Sequence, residues 1–205
     1  MPVPAIHESI RDSGLATTNL LGMTPRRQQI LDVAAEMFAQ RGFHGVSVVD
    51  LGAACGISGP ALYKHFPSKD AMLAEMLVAI SERLLDEGTA RSAKAADGRE
   101  AVIALVEWHI SFALEHRSLI VVQDRDWSSL EAGARERVRH LQRRYVDLWA
   151  NELMRVDTRL DPQTARAKAH VVFGLINSTP HSGRLPDHEM RELLRTMALG
   201  ALGLS

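Results

Sequence analysis

The sequence predicts an all-α fold in two helical parts, and three observations predict it. Apolar residues recur at the three-and-four spacing of a helix along nearly every segment from Thr24 onward. No stretch alternates apolar and polar residues as a half-buried strand would. Capping residues and Gly or Pro breaks cut the chain into separate helices.

Taken in order, residues 1–23 carry Pro2 and Pro4 with weak periodicity and are expected to be a flexible arm. Ile30, Ala34, Met37 and Phe38 make the first apolar stripe, closed by Gly42 as a C-terminal cap. Ser47, with Asp50 three residues on in the manner of a capping box, opens a short helix bearing Val48, Leu51, Ala54 and Cys55. After Gly56-Ile57-Ser58 a third short helix puts Leu62 and Phe66 on one face. Pro67-Ser68 starts a longer fourth helix with Met72, Leu73, Met76, Leu77, Ile80 and Leu84 inward.

The second half has longer pieces. Arg99 to His116 reads as a helix with Val102, Leu105, Val106, His109 and Phe112 on one side, followed by a shorter one around Ser118 to Trp127. Ala134, Val138, Leu141, Tyr145, Leu148 and Trp149 line a long helix. Asp161-Pro162 opens another, which carries Ala169, Val172, Phe173 and Ile176 until Thr179-Pro180 stops it. The loop His181-Ser182-Gly183 leads to a last helix with Met190, Leu193, Leu194 and Met197. The expected division is an arm over 1–23, a helix-turn-helix unit over 24–70 and a larger helical unit over 71–205.

Composition narrows the function. A chain of 205 residues, 46% hydrophobic, buries a sizeable core. The formal net charge is −1, so a nucleic-acid or membrane partner has to be met by a local patch. Cys55 is the one cysteine, which excludes a disulfide-stapled scaffold. No apolar run is long enough to span a bilayer and the opening residues lack a signal-peptide core. The expectation is a cytoplasmic protein with no membrane partner. An enzyme is not expected: Gly56-Ile57-Ser58-Gly59 falls one residue short of a nucleophile elbow, and there is no P-loop and no His-Glu-x-x-His helix. His109 and His116 stand two turns apart, too far to share an ion unaided, so neither a metal nor another cofactor is expected.

Two short helices joined by a glycine-containing turn fit a helix-turn-helix, whose second helix enters the major groove. A helix start favours acidic side chains, yet Thr24-Pro25-Arg26-Arg27 places two arginines in the first turn of one helix and Ser68-Lys69 a lysine at the start of another. DNA phosphate is an anion that relieves this conflict. From Arg26 to Ile80 the five basic and five acidic side chains cancel, so the placement of the cations carries the reading. Burying Leu62 and Phe66 turns Gly59, Tyr63 and Lys64 outward, while Ser58 and His65 donate hydrogen bonds. Pro60 and Ala61 offer thymine-methyl contacts. Few base pairs are read per half-site, so useful specificity needs a dimer.

The run RRQQILDVAAEMFAQRGFHGVSVVDLGAACGISGPALYKHFPSKDAMLAEML resembles the DNA-binding region of the TetR family, most specifically from Gly56 to Asp70. The resemblance implies a TetR-like fold of nine or so helices and a homodimer formed by the last two. It also implies ligand-controlled release from a palindromic operator, as a repressor. It places Tyr63, His65 and Lys69 on the DNA backbone and Ser58 to Ala61 at the bases; Thr24, Arg26, Arg27, Ser47 and Lys64 complete the expected DNA-facing set. Gly59 and Val49 depart from the pattern, since the family often has longer polar or base-contacting side chains there. Base reading then leans more on DNA shape.

No specific motif marks the second half. Trp108, Phe112, Trp127, Tyr145, Trp149 and Phe173 are either ordinary core or the walls of an apolar pocket between helices. His109, Gln123 and Asn177 are polar residues within or beside apolar stretches and need partners, either internal or on a ligand. An internal hydrogen bond of Asp124, with the neighbours of Arg125 or with His109, is the alternative to a ligand contact. As a group these residues fit a largely apolar small-molecule effector with a polar head: an acyl thioester, a fatty acid or a steroid-like metabolite. The basic run Arg135, Arg137, Arg139, Arg143 and Arg144 is either a solvated face, a phosphate site for a coenzyme-A-like ligand or a dimer contact. Ala169, Val172, Phe173, Ile176, Leu193, Leu194 and Met197 offer more apolar surface than a thin monomer buries, which predicts the dimer. The alternative is a helical metabolite-binding protein or small enzyme that uses the pocket without binding an operator.

Overall fold

A computed structural model describes residues 24–182 and 185–204. The arm expected over residues 1–23, and Gly183 of the expected last loop, lie outside the described residues. All regular structure among the described residues is helical. The helices are α1 (Pro25–Arg41), α2 (Val48–Ala54), α3 (Gly59–Leu62), α4 (Lys69–Ser92), α5 (Gly98–Glu115), α6 (Arg117–Asp126), α7 (Ala132–Val156), α8 (Pro162–Ile176), α9 (Thr179–Ser182) and α10 (Asp187–Leu202). A 3₁₀ turn, Trp127–Ser129, joins α6 to α7.

The caps at Gly42, Ser47, Ser68 and Asp161 stand where the sequence placed a helix boundary, and Thr24 and Ser58 add two more. Thr24, Ser58 and Ser68 each accept the backbone N–H three residues on, and Asp161 takes two amides at the start of α8. Ser47 and Asp50 form the reciprocal capping box. Gly42 ends α1 at φ 80°, a conformation open to glycine at no steric cost. One boundary differs: Thr179-Pro180 begins the short α9, after Asn177 has already capped α8.

Two apolar clusters fill the molecule. The first gathers Ile30, Leu31, Phe38, Leu51, Leu62 and Phe66 from α1–α3. It also takes Met72, Leu73, Met76 and Leu77 from α4, so the packing of the amino-terminal helices runs past residue 70. Val122, Leu130 and Val138 reach into it from the second half. The other cluster is built from α5, α7, α8 and α10 with Ile80 and Leu85 of α4, and Trp149, fully buried, stands at its centre. Helix α4 is common to both clusters, which is why it is long and apolar on one side throughout.

The apolar surplus expected on the last helices is smaller than the sequence suggested. Ala169, Val172, Ile176 and Leu194 are buried inside the protomer itself, because α5 and α7 cover that side of α8 and α10. What stays outside is Val171, 65% exposed, with Leu193 at 44% and Met197 at 50%. Leu193 and Met197 sit one turn apart on α10 and make one short apolar stripe.

Candidate DNA-binding face and internal cavity

Helices α2 and α3 meet across Cys55–Ser58, where Gly56 at φ 67° makes the turn and Ile57 N–H donates to Gly52 O at 2.9 Å. With Leu51 and Leu62 in the core, the outer face carries Ser47, Val49, Ser58, Pro60, Tyr63 and Lys64, all exposed. Gly59, Ala61 and His65 are half-buried beside them. The Ser58 hydroxyl accepts from Ala61 N–H at 3.3 Å and keeps its own proton for an outside acceptor. That of Ser47 is turned inward to Asp50 at 2.6 Å.

The cations at the helix starts have internal partners, so their placement does not by itself call for DNA phosphate. Arg27 pairs with Glu75, donates to His65 O and lies over the Phe66 ring. Arg26 donates to Cys55 O at 2.7 Å, tying α1 to the end of α2. Lys69 donates to Phe43 O and Val46 O at 2.7 and 2.8 Å, over the Phe43 ring. These three side chains brace the helix-turn-helix from behind. Lys64 has no ion-pair or hydrogen-bond partner among the described residues and projects from the face with Tyr63.

Beside the second cluster lies a cavity of about 310 Å³ between α4, α5, α6, α7 and α8, open to solvent where His170 and Gly174 are exposed. Of the polar and aromatic residues picked out in the sequence, His109, Gln123, Tyr145, Phe173 and Asn177 line it. Four do not. Trp149 is buried behind the wall, with its ring perpendicular to those of His109 and Phe173. Phe112 packs inside the core, and Trp108 donates its indole N–H to Leu84 O at 3.2 Å. Trp127 packs against the other cluster beneath Arg139. The sequence reading missed Ser81, Leu84, Leu141, Val146, Gln142, His170 and Gly174 as wall residues. Gln142, a polar neighbour of the Leu141–Tyr145 stripe, was the one with a signal in the pattern.

His109 is held from both sides. Its Nδ1 lies 3.3 Å from the Tyr145 hydroxyl and its Nε2 3.1 Å from Asn177 Oδ1, in place of the Asp124 contact considered from sequence. The His109 ring stacks on Phe173 at 4.7 Å and on Tyr145 at 5.7 Å. Burial lowers its pKa from 6.5 to about 4, so the ring is neutral at physiological pH. Tyr145 is raised by the same burial. His116, two turns on, is also lowered to about 4, by burial and then by the Arg83 guanidinium 3.0 Å away.

Both histidines favour the neutral form when folded, so their contribution is present above the ordinary value and lost as pH falls through the window from 6.5 to about 4. Between pH 7 and 5 each is expected to remove about 2 kcal/mol of stability. Urea unfolding at the two pH values measures this, and His116→Asn should remove about half of the drop.

Helix α6 joins the cavity to the amino-terminal helices. Gln123 faces the cavity, and two residues on Arg125 donates to two carbonyls at the end of α1, Ala39 O at 3.0 Å and Phe38 O, the latter also taking the Gly42 N–H. Asp126, 5% exposed, accepts the Phe43 N–H at 3.3 Å and pairs with Arg125 at 3.2 Å.

The basic run on α7 is a surface face whose members are mostly paired. Arg135 donates to Leu130 O, Arg137 pairs with Glu82, and Arg139 and Arg143 share the exposed Glu136. Arg144 is exposed and has no ion-pair or hydrogen-bond partner among the described residues. Among the described residues no cluster of three His, Cys, Asp or Glu is placed to hold a metal ion, and no helix is long and apolar enough to cross a membrane.

A helix-turn-helix fused through one long shared helix to a helical bundle with an internal cavity is the build of a bacterial one-component regulator. The chain belongs to the TetR family. Residues 30–76 match the family described as bacterial regulatory proteins, tetR family, and residues 95–202 match the tetracyclin repressor-like C-terminal domain. Over 104 residues it is 34% identical to the HTH-type transcriptional repressor KstR2 of Rhodococcus jostii (strain RHA1), covering 50% of this chain and 51% of that one. The chain thus spans about half the length of the curated relatives it matches. A TetR-family regulator from Bordetella parapertussis 12822 shares the fold at a TM-score of 0.77, with 23% identity over 86% of this chain and 95% of the other. The ketosteroid transcriptional regulator KstR2 of Mycobacterium tuberculosis does so at 0.74, with 21% identity over 88% and 97%.

Proposed function

We propose that this protein is a homodimeric, cytoplasmic transcriptional regulator that binds a palindromic operator and leaves it when a small, largely apolar metabolite enters the cavity. The carrying observation is α6: one helix bears Gln123 on the cavity and Arg125–Asp126 on the end of α1, so a shift at one is felt at the other. In this reading residues 24–70 are the DNA-binding unit and residues 71–205 the ligand and dimer unit. Ser58, Gly59, Pro60 and Ala61 face the bases. Thr24, Ser47, Tyr63, Lys64 and His65 face phosphates, with Arg26, Arg27 and Lys69 as braces. The exposed stripe of Val171, Leu193 and Met197 is the seed of the dimer, in which two copies of α8 and α10 form a four-helix bundle.

Selection from random duplex DNA at physiological salt tests this. An enriched palindrome with half-sites about one helical turn apart is expected, bound by a dimer in sedimentation. Absence of enrichment, or a monomer at micromolar concentration, overturns it and leaves a helical metabolite-binding protein.

A further inference from the structure

The cavity holds polar groups that the fold itself does not use. Gln123 on α6 and Gln142 on α7 are both half-buried wall residues, and neither side-chain amide hydrogen-bonds to any described residue. Asn177 uses its Oδ1 for His109 and has no described partner for its Nδ2. Three carboxamides from three helices therefore border one space with N–H and C=O groups that the described residues leave unpaired. The His109 chain adds to this in whichever direction it runs. If Tyr145 donates to His109, and His109 to Asn177, the Asn177 amine is left over; reversed, the Tyr145 hydroxyl is. A polar group taken from water needs a partner, so an occupant that displaces water there brings a hydrogen-bonding group.

The same wall has no Asp, Glu, Lys or Arg; of its two histidines the buried His109 is neutral and His170 stands exposed at the edge. Helix α8 ends at Asn177, so its negative pole lies at the amide end of the cavity. Toward the buried His109 a carboxylate would lose water with no cation in the wall and with the helix end against it; an ammonium would find no carboxylate in the wall. Leu84, Leu141, Val146 and Phe173 supply the apolar remainder.

We propose that the cavity selects an uncharged ligand whose polar group hydrogen-bonds to these carboxamides, as an ester, thioester or ketone does, and rejects the corresponding free acid. This rests on reading the cavity as the effector site. At pH 7.5 only about one carboxylic acid in a thousand is neutral, which sets the scale of rejection.

The test uses the full chain and displacement of the neutral dye N-phenyl-1-naphthylamine by methyl octanoate, octanoate and octylamine at pH 7.5. Methyl octanoate is expected to bind at least tenfold tighter than either charged analogue. Gln123→Leu/Gln142→Leu should weaken the ester about tenfold without lowering the melting temperature, since those amides hold nothing within the protein. Octanoate or octylamine binding as tightly as the ester overturns the proposal and leaves the cavity as a ligand site. Gly174→Phe places a ring at the wall, where a Cβ meets open space. Ester binding untouched by that ring, or no binding by any of the three, removes the cavity as the site and the proposal with it.

Discussion

Replacing Tyr63 and Lys64 together with alanine is expected to weaken operator binding by at least a hundredfold while changing folding stability by less than about 1 kcal/mol. Tyr63 is 54% exposed, and neither side chain has a hydrogen-bond or ion-pair partner among the described residues. The protein itself therefore loses little. On DNA each would donate to a phosphate, a charge-assisted bond worth about 1.5–3 kcal/mol, and the two-fold axis doubles the loss. Removing one cation per half-site should also lower the salt slope of log K by about 2. Fluorescence anisotropy on the selected operator across a salt series reads both numbers. An unchanged affinity would mean that this face does not meet DNA.

Lys69→Glu makes the instructive contrast. Its ammonium is held by Phe43 O and Val46 O, so reversal would put a carboxylate against two carbonyls. DNA binding should fall there too, but together with the melting temperature.

The second large effect is expected from Arg125→Ala. It strips Asp126 of its cation and the end of α1 of the guanidinium donors, leaving a buried carboxylate with one amide. Breaking such a pair costs roughly 2–4 kcal/mol, toward the lower end because Arg125 is itself 42% exposed. The functional consequence is larger. With these contacts gone, α6 no longer reports to α1, so an effector that releases the parent protein from its operator should shift the variant's DNA affinity by less than about twofold. Effector affinity should stay near that of the parent, because Gln123 and the cavity wall are untouched. Operator titrations with and without effector separate the two. A variant that still responds in full would place the coupling elsewhere, for example along α4, which packs in both clusters.

The sequence alone determined the helices and their order. Helix periodicity and caps are local: Ser47 with Asp50, Gly42 and Asp161-Pro162 act within a turn of themselves. The helix-turn-helix was equally legible, because its turn and its outward residues lie within one short run of chain from Ser47 to Lys69. The placing of the long-range partners was not. That Arg27 meets Glu75, that Lys69 meets the loop after α1, and that Arg125 reaches back to Phe38 depends on how helices distant in sequence cross. The same holds for the cavity. Tyr145, Trp149 and Phe173 carry the same apolar signal in their helices, yet Trp149 is core while Tyr145 and Phe173 are wall. A one-dimensional pattern says which face of a helix is apolar; only the packing of five helices decides which part of that face meets another side chain and which meets a space.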